Sequence, residues 1–404
     1  MVKKANGEGS ISRFKNGWRA TITIGRDENG KLIRKQFYGK TKLETLNKAN
    51  EYKNKYSSGI LPSDEKITLK DWVRIWLYEY RINDLKPSSL SVYDGIYRNY
   101  IENSNLGNIK LKDLKSSNLQ TFFNYLIRAE NKDAGVLKNI NKVLRPCLSQ
   151  AVKEQYLPFN PCNGVTLPKV KAKKDIEVFT IDEQKHFIKF LENHRHKALI
   201  MLVLGTGLRI GEVLGLKWND INFEDSTLTV SRTSKRVHIV NNKISENKTE
   251  ILELEPKTKS SRRTIPIPSN VLKELKRHKK RQAEEKLKAG EIYVDNDLIF
   301  PNEMGEPTDT RNLTRSYERA LKKAGIKYKN FHSLRHTYAT RLFENDVPLK
   351  TVQVLMGHSN IKTTADIYTH VMPDEKIKAV EKLNTLFMAV SYTHLRAHET
   401  SAHL

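Results

Sequence analysis

The chain has 404 residues, with 71 Lys+Arg against 46 Asp+Glu and a formal net charge of +25. That length allows two or three domains with separate cores, and the cationic excess calls for a polyanionic partner, nucleic acid being the common one. Cys147 and Cys162 are the only cysteines, which excludes a disulfide framework and a clustered thiolate zinc site. The longest apolar run, Ala198 to Leu204, is far too short for a bilayer, and the opening Met1-Val-Lys-Lys lacks the apolar stretch of a secretion signal. A cytoplasmic protein with no membrane partner is expected.

Residues 1–60 carry fourteen Lys/Arg against five Asp/Glu. Trp18, Ala20, Ile22 and Ile24 alternate with Arg19, Thr21 and Thr23, the period of a half-buried strand. Asp27-Glu-Asn-Gly30 supplies a hairpin turn, Lys31 to Tyr38 the returning strand, and about 42–56 a covering helix. The uncovered sheet face then carries Arg19 and Arg34, and a basic sheet face of this size fits a DNA major groove. Residues 61–66 form a linker.

A helical region follows from 67 to about 160. Thr68 and Asp71 form a capping box, and Leu69, Trp72, Val73, Trp76, Leu77 and Tyr80 make one apolar stripe that predicts core. Further helices are expected from Pro87, at about 117–129 and at 134–154, closed by Pro158 and Pro161. Lys169 to Lys174 is a basic hinge.

The largest domain is expected over 175–388. Thr180 and Glu183 cap its first helix, and a buried helix ends at Leu204 before Gly205-Thr-Gly207, where Arg209 opens a new one. Strands are expected at about 227–232 and 236–240, then a hairpin pairing 249–254 with 262–267 around Pro256 to Ser261. Helices at about 270–288, 311–323, 332–342 and 349–356 complete it. A final segment at 375–388 carries Ile377, Val380, Leu383 and Leu386 as an apolar stripe, which packs on its own domain or docks on a neighbouring subunit. Residues 390–404 show no periodicity and are similar to translated sequencing-adapter read-through; they are expected to be a non-native tail, with His394, His398 and His403 no metal site.

The chemistry concentrates in a few segments: Thr206-Gly-Leu-Arg209-Ile-Gly-Glu212, Phe331-His-Ser-Leu-Arg-His336, Leu355-Met-Gly-His358 and Tyr368. His332 and Arg335 lie three apart and share a helix face. A phosphodiester attacked by a tyrosine gathers charge on two non-bridging oxygens, which two guanidiniums hold by paired hydrogen bonds that lysine cannot match. Arg209 and Arg335 suit that task. Free tyrosine has a pKa of about 10 and needs a base or local positive charge to react near neutrality. His332 and His358 can move protons or donate hydrogen bonds there. Lys257, in the turn of the expected hairpin, could protonate a leaving 5′ oxygen, although Lys259 lies in the same turn. No acidic cluster suits a two-metal nuclease, so neither metal nor cofactor is expected.

As an ordered set, these segments resemble the tyrosine recombinase (phage integrase) family over 175–388. Residues 67–160 are similar to that family's helical core-site DNA-binding domain, and 1–60 resemble the three-stranded arm-type DNA-binding domain of integrases from conjugative transposons and temperate phages. The resemblance implies a multidomain, mainly α fold: a small three-stranded sheet with a helix, a helical core-binding domain, and a mainly helical catalytic domain with a small antiparallel sheet. It also implies roles. Arg209 and Arg335 clamp the scissile phosphate, Lys257 protonates the leaving oxygen, His332 transfers protons at the nucleophile, His358 hydrogen-bonds the phosphate, and Tyr368 forms a 3′-phosphotyrosine. The implied partners are double-stranded DNA at core and arm attachment sites, a homotetramer on that DNA, and DNA-bending and directionality factors. Alternatives are DNA relaxation by a type IB topoisomerase and a non-catalytic DNA-binding regulator; the basic sheet argues against the first and the intact Tyr368 against the second.

Overall fold

The computed structural model describes residues 10–26, 32–57, 66–169, 177–239, 249–255, 261–371, 380–381 and 383. These fall into two compact units, one drawn from the residues up to 169 together with 238–239 and the other from 177–237 and from 249 onward. The fold is mainly helical, and none of the described helices is long and apolar enough to cross a membrane.

The first unit begins with the antiparallel sheet β1 (Ser10–Phe14), β2 (Gly17–Arg26) and β3 (Leu32–Gly39), covered by α1 (Lys42–Ser57). Ala20 and Ile22 are buried with Ala49 of α1, and Ile11 and Phe37 pack beside them. The two-residue period turns Arg19 and Thr21 to the opposite face, in register with Tyr38 and Gln36 of β3. There the Arg19 guanidinium lies 4.9 Å from the Phe14 ring centre, and Phe14 lies 5.4 Å from Tyr38. The alternation in β2 predicted this arrangement. The strand β1, Ser-Ile-Ser-Arg-Phe, has too weak an apolar pattern to be read directly, and only the family resemblance implied a third strand. The Asp27–Gly30 turn lies outside the described residues.

Thr68 caps α2 (Leu69–Ile75) through the expected reciprocal bonds with Asp71. The helices α2 and α3 (Pro87–Ile96) each widen into a π-helical turn, at Trp76–Tyr80 and Tyr97–Ile101. Two longer helices, α4 (Ser116–Arg128) and α5 (Ala134–Lys153), complete the bundle. The apolar stripe is core as expected: Leu69 to Leu77 are buried at each stripe position, and only Tyr80 at its end is exposed. Trp72 anchors the bundle, its Nε1 donating to the Cys147 carbonyl of α5 at 3.1 Å.

The second unit contains α6 (Ile181–Phe190), α7 (Lys197–Thr206), α8 (Ile210–Leu214), β4 (Ile221–Asn222), β5 (Thr227–Val230), β6 (Thr233–His238), β7 (Thr249–Leu254), β8 (Arg263–Pro266), α9 (Ser269–Ala289), α10 (Thr310–Lys323), α11 (His332–Glu344), α12 (Leu349–Met356) and α13 (Ile361–Val371). The buried α7 is its centre, packing on α9 and α11. Phe187, Tyr317 and Phe331 from the helices and Leu228, Val230 and Ile265 from the sheet share that core.

Strand pairing differs from the expected hairpin. The strands β7 and β8 do not pair with each other: β8 pairs with β5, in a sheet ordered β4-β5-β8, and β7 pairs with β6 in a separate two-stranded ribbon. Burial explains the choice. Pairing Leu228 with Ile265 brings two fully buried side chains together, whereas β7 has no fully buried residue to bring to the core. The apolar stripe expected at 375–388 falls mostly outside the described residues, with Val380 and Leu383 exposed where described. Residues 390–404 also lie outside.

Candidate active site

Two glycines shape the site. The helix α7 ends at Gly207 with φ +64°, and α12 ends at Gly357 with φ +63°, both in the left-handed region. Neither position has room for a side chain: a Cβ at 207 would lie 2.4 Å from Cδ1 of Tyr338, and one at 357 would lie 2.9 Å from Nη1 of Arg263. Beyond Gly207 the chain turns so that Arg209 stands at the N-terminus of α8. Glu212, one turn on, accepts from the Arg209 backbone N–H at 3.0 Å and from its Nη1 at 2.7 Å.

The last carbonyls of a helix have no donor within the helix and lie at the negative end of its dipole. At the end of α12 three consecutive ones are each taken by an arginine from elsewhere. Arg263 of β8 donates Nε to the Leu355 carbonyl at 2.9 Å. Arg335, on the first turn of α11 and only 1% exposed, donates Nη2 to Met356 and Nη1 to the Gly207 carbonyl. Arg209 donates Nη2 to Gly357 at 3.2 Å. Arg263 also reaches Glu212, Nη2 to Oε2 at 3.0 Å and Nη1 to Oε1 at 3.3 Å.

Three guanidiniums therefore surround a single carboxylate. Burial alone would raise the pKa of Glu212, but its bonds to Arg263 and the charges of Arg263 and Arg209 outweigh burial and hold it below the usual range. It is ionised. Burial, and then the charge of Arg209, pulls Arg335 down to about 9, and its Nε has no hydrogen-bond partner. An anion at this cluster would relieve both effects.

Three histidines border the guanidiniums. His332 and His336 lie one turn apart on α11, their rings edge to face at 4.6 Å. Burial followed by the charges of Arg335 and Arg209 lowers His332 to about 4. Burial and His332 likewise lower His336 to about 4. Burial, Arg335 and Arg209 lower His358 to about 3. All three are neutral at pH 7. His358 shares a hydrogen bond between Nδ1 and Oγ1 of Thr364 at 2.9 Å, which leaves its Nε2 free to face a ligand.

Arg209, Arg335, His332 and His358, singled out in the sequence, are thus neighbours. Tyr368 lies on α13, which packs against α11 and α12. Its half-buried ring meets Phe343 edge-on at 5.0 Å. Phe343 is eight residues past Arg335, about 12 Å along α11. Lys257 and Lys259 lie outside the described residues. Sequence reasoning missed Arg263, although a signal was present: counting back by two from the inward-facing Ile267 and Ile265 puts Arg263 on the buried face and Arg262 on the exposed one. Thr364, the partner of His358, had no comparable signal.

Residues 177–375 match the Phage integrase family, and residues 68–127 match the N-terminal SAM-like domain of phage integrases. A tyrosine recombinase XerC-like protein of Caldanaerobacter subterraneus subsp. tengcongensis is 46% identical over 396 residues, covering 96% of this chain and 100% of that protein. The chain belongs to the tyrosine recombinase family. It is a site-specific recombinase, an enzyme that cleaves and rejoins DNA strands. The ICEBs1 integrase of Bacillus subtilis is 25% identical over 387 residues, covering 93% of this chain and all of that protein. The Tn1549 transposon integrase, solved in complex with a circular intermediate DNA, shares the fold with a TM-score of 0.64 at 22% identity, over 78% of this chain and 99% of that one. These comparisons lend nothing to the topoisomerase or regulator alternatives.

Replacing Gly207 by Ala in this recombinase tests the turn that precedes Arg209. Left-handed strain alone should cost about 1–3 kcal/mol, and the clash with Tyr338 adds to it, measured as a lowered urea midpoint at unchanged slope.

Proposed function

We propose that this recombinase integrates and excises a mobile element, using Tyr368 to form a 3′-phosphotyrosine. The observation that carries the reading is the convergence of Arg209 and Arg335, flanked by neutral histidines, on the end of α12. The Tyr368 oxygen attacks the scissile phosphorus and the bond from phosphorus to the 5′ oxygen breaks. His332, neutral near pH 7, takes the tyrosine proton, and Lys257 (or Lys259 of the same turn) gives one to the leaving oxygen. Arg209 and Arg335 bind the two non-bridging oxygens, whose charge grows in the transition state. His358 donates Nε2–H to one of them while Thr364 occupies its Nδ1. The phosphotyrosine keeps the bond energy of the phosphodiester, so a partner strand's 5′-hydroxyl can reverse the step. Two such exchanges proceed through a four-way junction held by a tetramer.

In this reading residues 175–388 are the catalytic domain, 67–160 bind the core site and 1–60 bind arm sites. The exposed sheet face with Arg19, Gln36 and Tyr38 supports the last assignment, and the names of the ICEBs1 and Tn1549 relatives support a mobile element as the substrate. DNA-bending and directionality factors would join at the arm sites, and the reaction belongs in the cytoplasm. The charge balance supports strong phosphate contact, with binding that weakens steeply as salt rises.

A trap assay tests the nucleophile. A nicked duplex from the flank of the chain's own gene, incubated with chelator, should give a covalent, protease-sensitive adduct that Tyr368→Phe lacks; an adduct retained by the Phe variant would remove Tyr368 from the mechanism. Deleting residues 1–60 should abolish recombination between attachment sites while sparing adduct formation on the nicked core duplex. Normal recombination by the truncated chain would sink the arm-site assignment.

A further inference from the structure

Arg263 is not one of the residues that the clamp requires, yet it bonds to two of the elements from which the clamp is made, α8 and α12. Its side chain is 6% exposed. It starts β8, holds both oxygens of Glu212 on α8, and holds the Leu355 carbonyl, next to the two that receive Arg335 and Arg209. A Cβ at Gly357 would strike its guanidinium, so the turn leading to His358 is folded directly against it.

Consider what Glu212 does with and without it. Each carboxylate oxygen now accepts one bond from Arg209 and one from Arg263. With Arg263 absent, the only strong donor to this buried carboxylate is Arg209, and paired guanidinium–carboxylate bonding would draw Arg209 off the Gly357 carbonyl. An arginine so engaged has fewer N–H groups to offer a phosphate. The Leu355 carbonyl would also lose its donor, loosening the turn that carries Met356, Gly357 and His358. The charge balance changes as well. Three guanidiniums against one carboxylate leave a net charge of two, matched to a phosphodiester gaining charge in its transition state; without Arg263 one remains.

We propose that Arg263 is a positioning residue for strand cleavage: by sharing Glu212 and holding the Leu355 carbonyl, it aims Arg209 and fixes the turn that presents His358. It acts through these groups and does not touch DNA. The proposal rests on the recombinase reading of the site given above.

The test is single-turnover adduct formation on the nicked flank duplex by the full chain, with DNA affinity and thermal unfolding measured alongside. Arg263→Lys keeps the charge but cannot span Leu355 and both Glu212 oxygens. Arg263→Gln is a neutral donor. Either variant, when folded and binding DNA within about twofold of the unchanged chain, should form adduct about 10- to 100-fold more slowly, because a misplacement of about 1 Å at a reacting group costs up to about 100-fold. The Gln variant should also move the acid limb of the rate profile to higher pH. Glu212 faces Arg209 on its own helix, Arg263 on β8, and Arg335 and His332 on α11, and Arg263 is the chief group keeping it ionised. Should the Lys variant not fold, the Gln variant decides alone. A folded variant with an unchanged rate and pH profile, whatever its melting temperature, would reduce Arg263 to a structural ion pair and overturn the proposal. The unchanged chain is the control for the reading beneath it: no adduct there would overturn that reading and this proposal together.

Discussion

The site depends on the end of one short helix. The helix α12 stops at a glycine in the left-handed region, and its last three carbonyls face inward to arginines from three other segments. Buried guanidiniums are costly unless their N–H groups are bonded. Carbonyls at a helix C-terminus supply acceptors and a negative dipole end without supplying a full charge. That distinction matters chemically. Carboxylates in those places would neutralise the arginines, whereas carbonyls orient them and leave their charge available to a phosphate.

The same surplus of positive charge governs the histidines. Each is held neutral at pH 7 by burial and by the guanidiniums nearby, so each can accept a proton or donate a hydrogen bond without adding to the repulsion among the arginines. A bound phosphate would reverse that field and make protonation easier at the stage when the tyrosine must lose its proton. Glu212 limits the surplus. As the single carboxylate among three guanidiniums, it keeps two of them in place while leaving the cluster cationic.

Much of this was legible in the sequence. Apolar spacing located α2 and the inner side of α6, capping pairs at Thr68–Asp71 and Thr180–Glu183 set two helix starts, and the two Gly-ended segments around Arg209 and His358 carried the family resemblance. What was not legible depends on contacts distant in sequence. The strands β7 and β8 look like a hairpin locally, and only the burial of Leu228 and Val230 shows why β8 joins β5 instead. The helix α13 was missed because Thr363 and Thr364 are weak helix formers, and its start depends on Asn360 accepting from the Lys362 N–H at 2.9 Å. Arg263 is a different case: composition does not separate it from Arg262, but the local alternation with Ile265 and Ile267 does, so it was legible and passed over.

The most direct test of this account is the titration of the three site histidines by NMR of labelled imidazoles, assigned through His→Gln substitutions. In the free protein His332 and His336 should titrate near pH 4 and His358 near pH 3, and a bound core-site duplex should move all three upward. Titration near the ordinary value of about 6.5, unmoved by the duplex, would contradict the claim that a cationic cradle for phosphate organises the site.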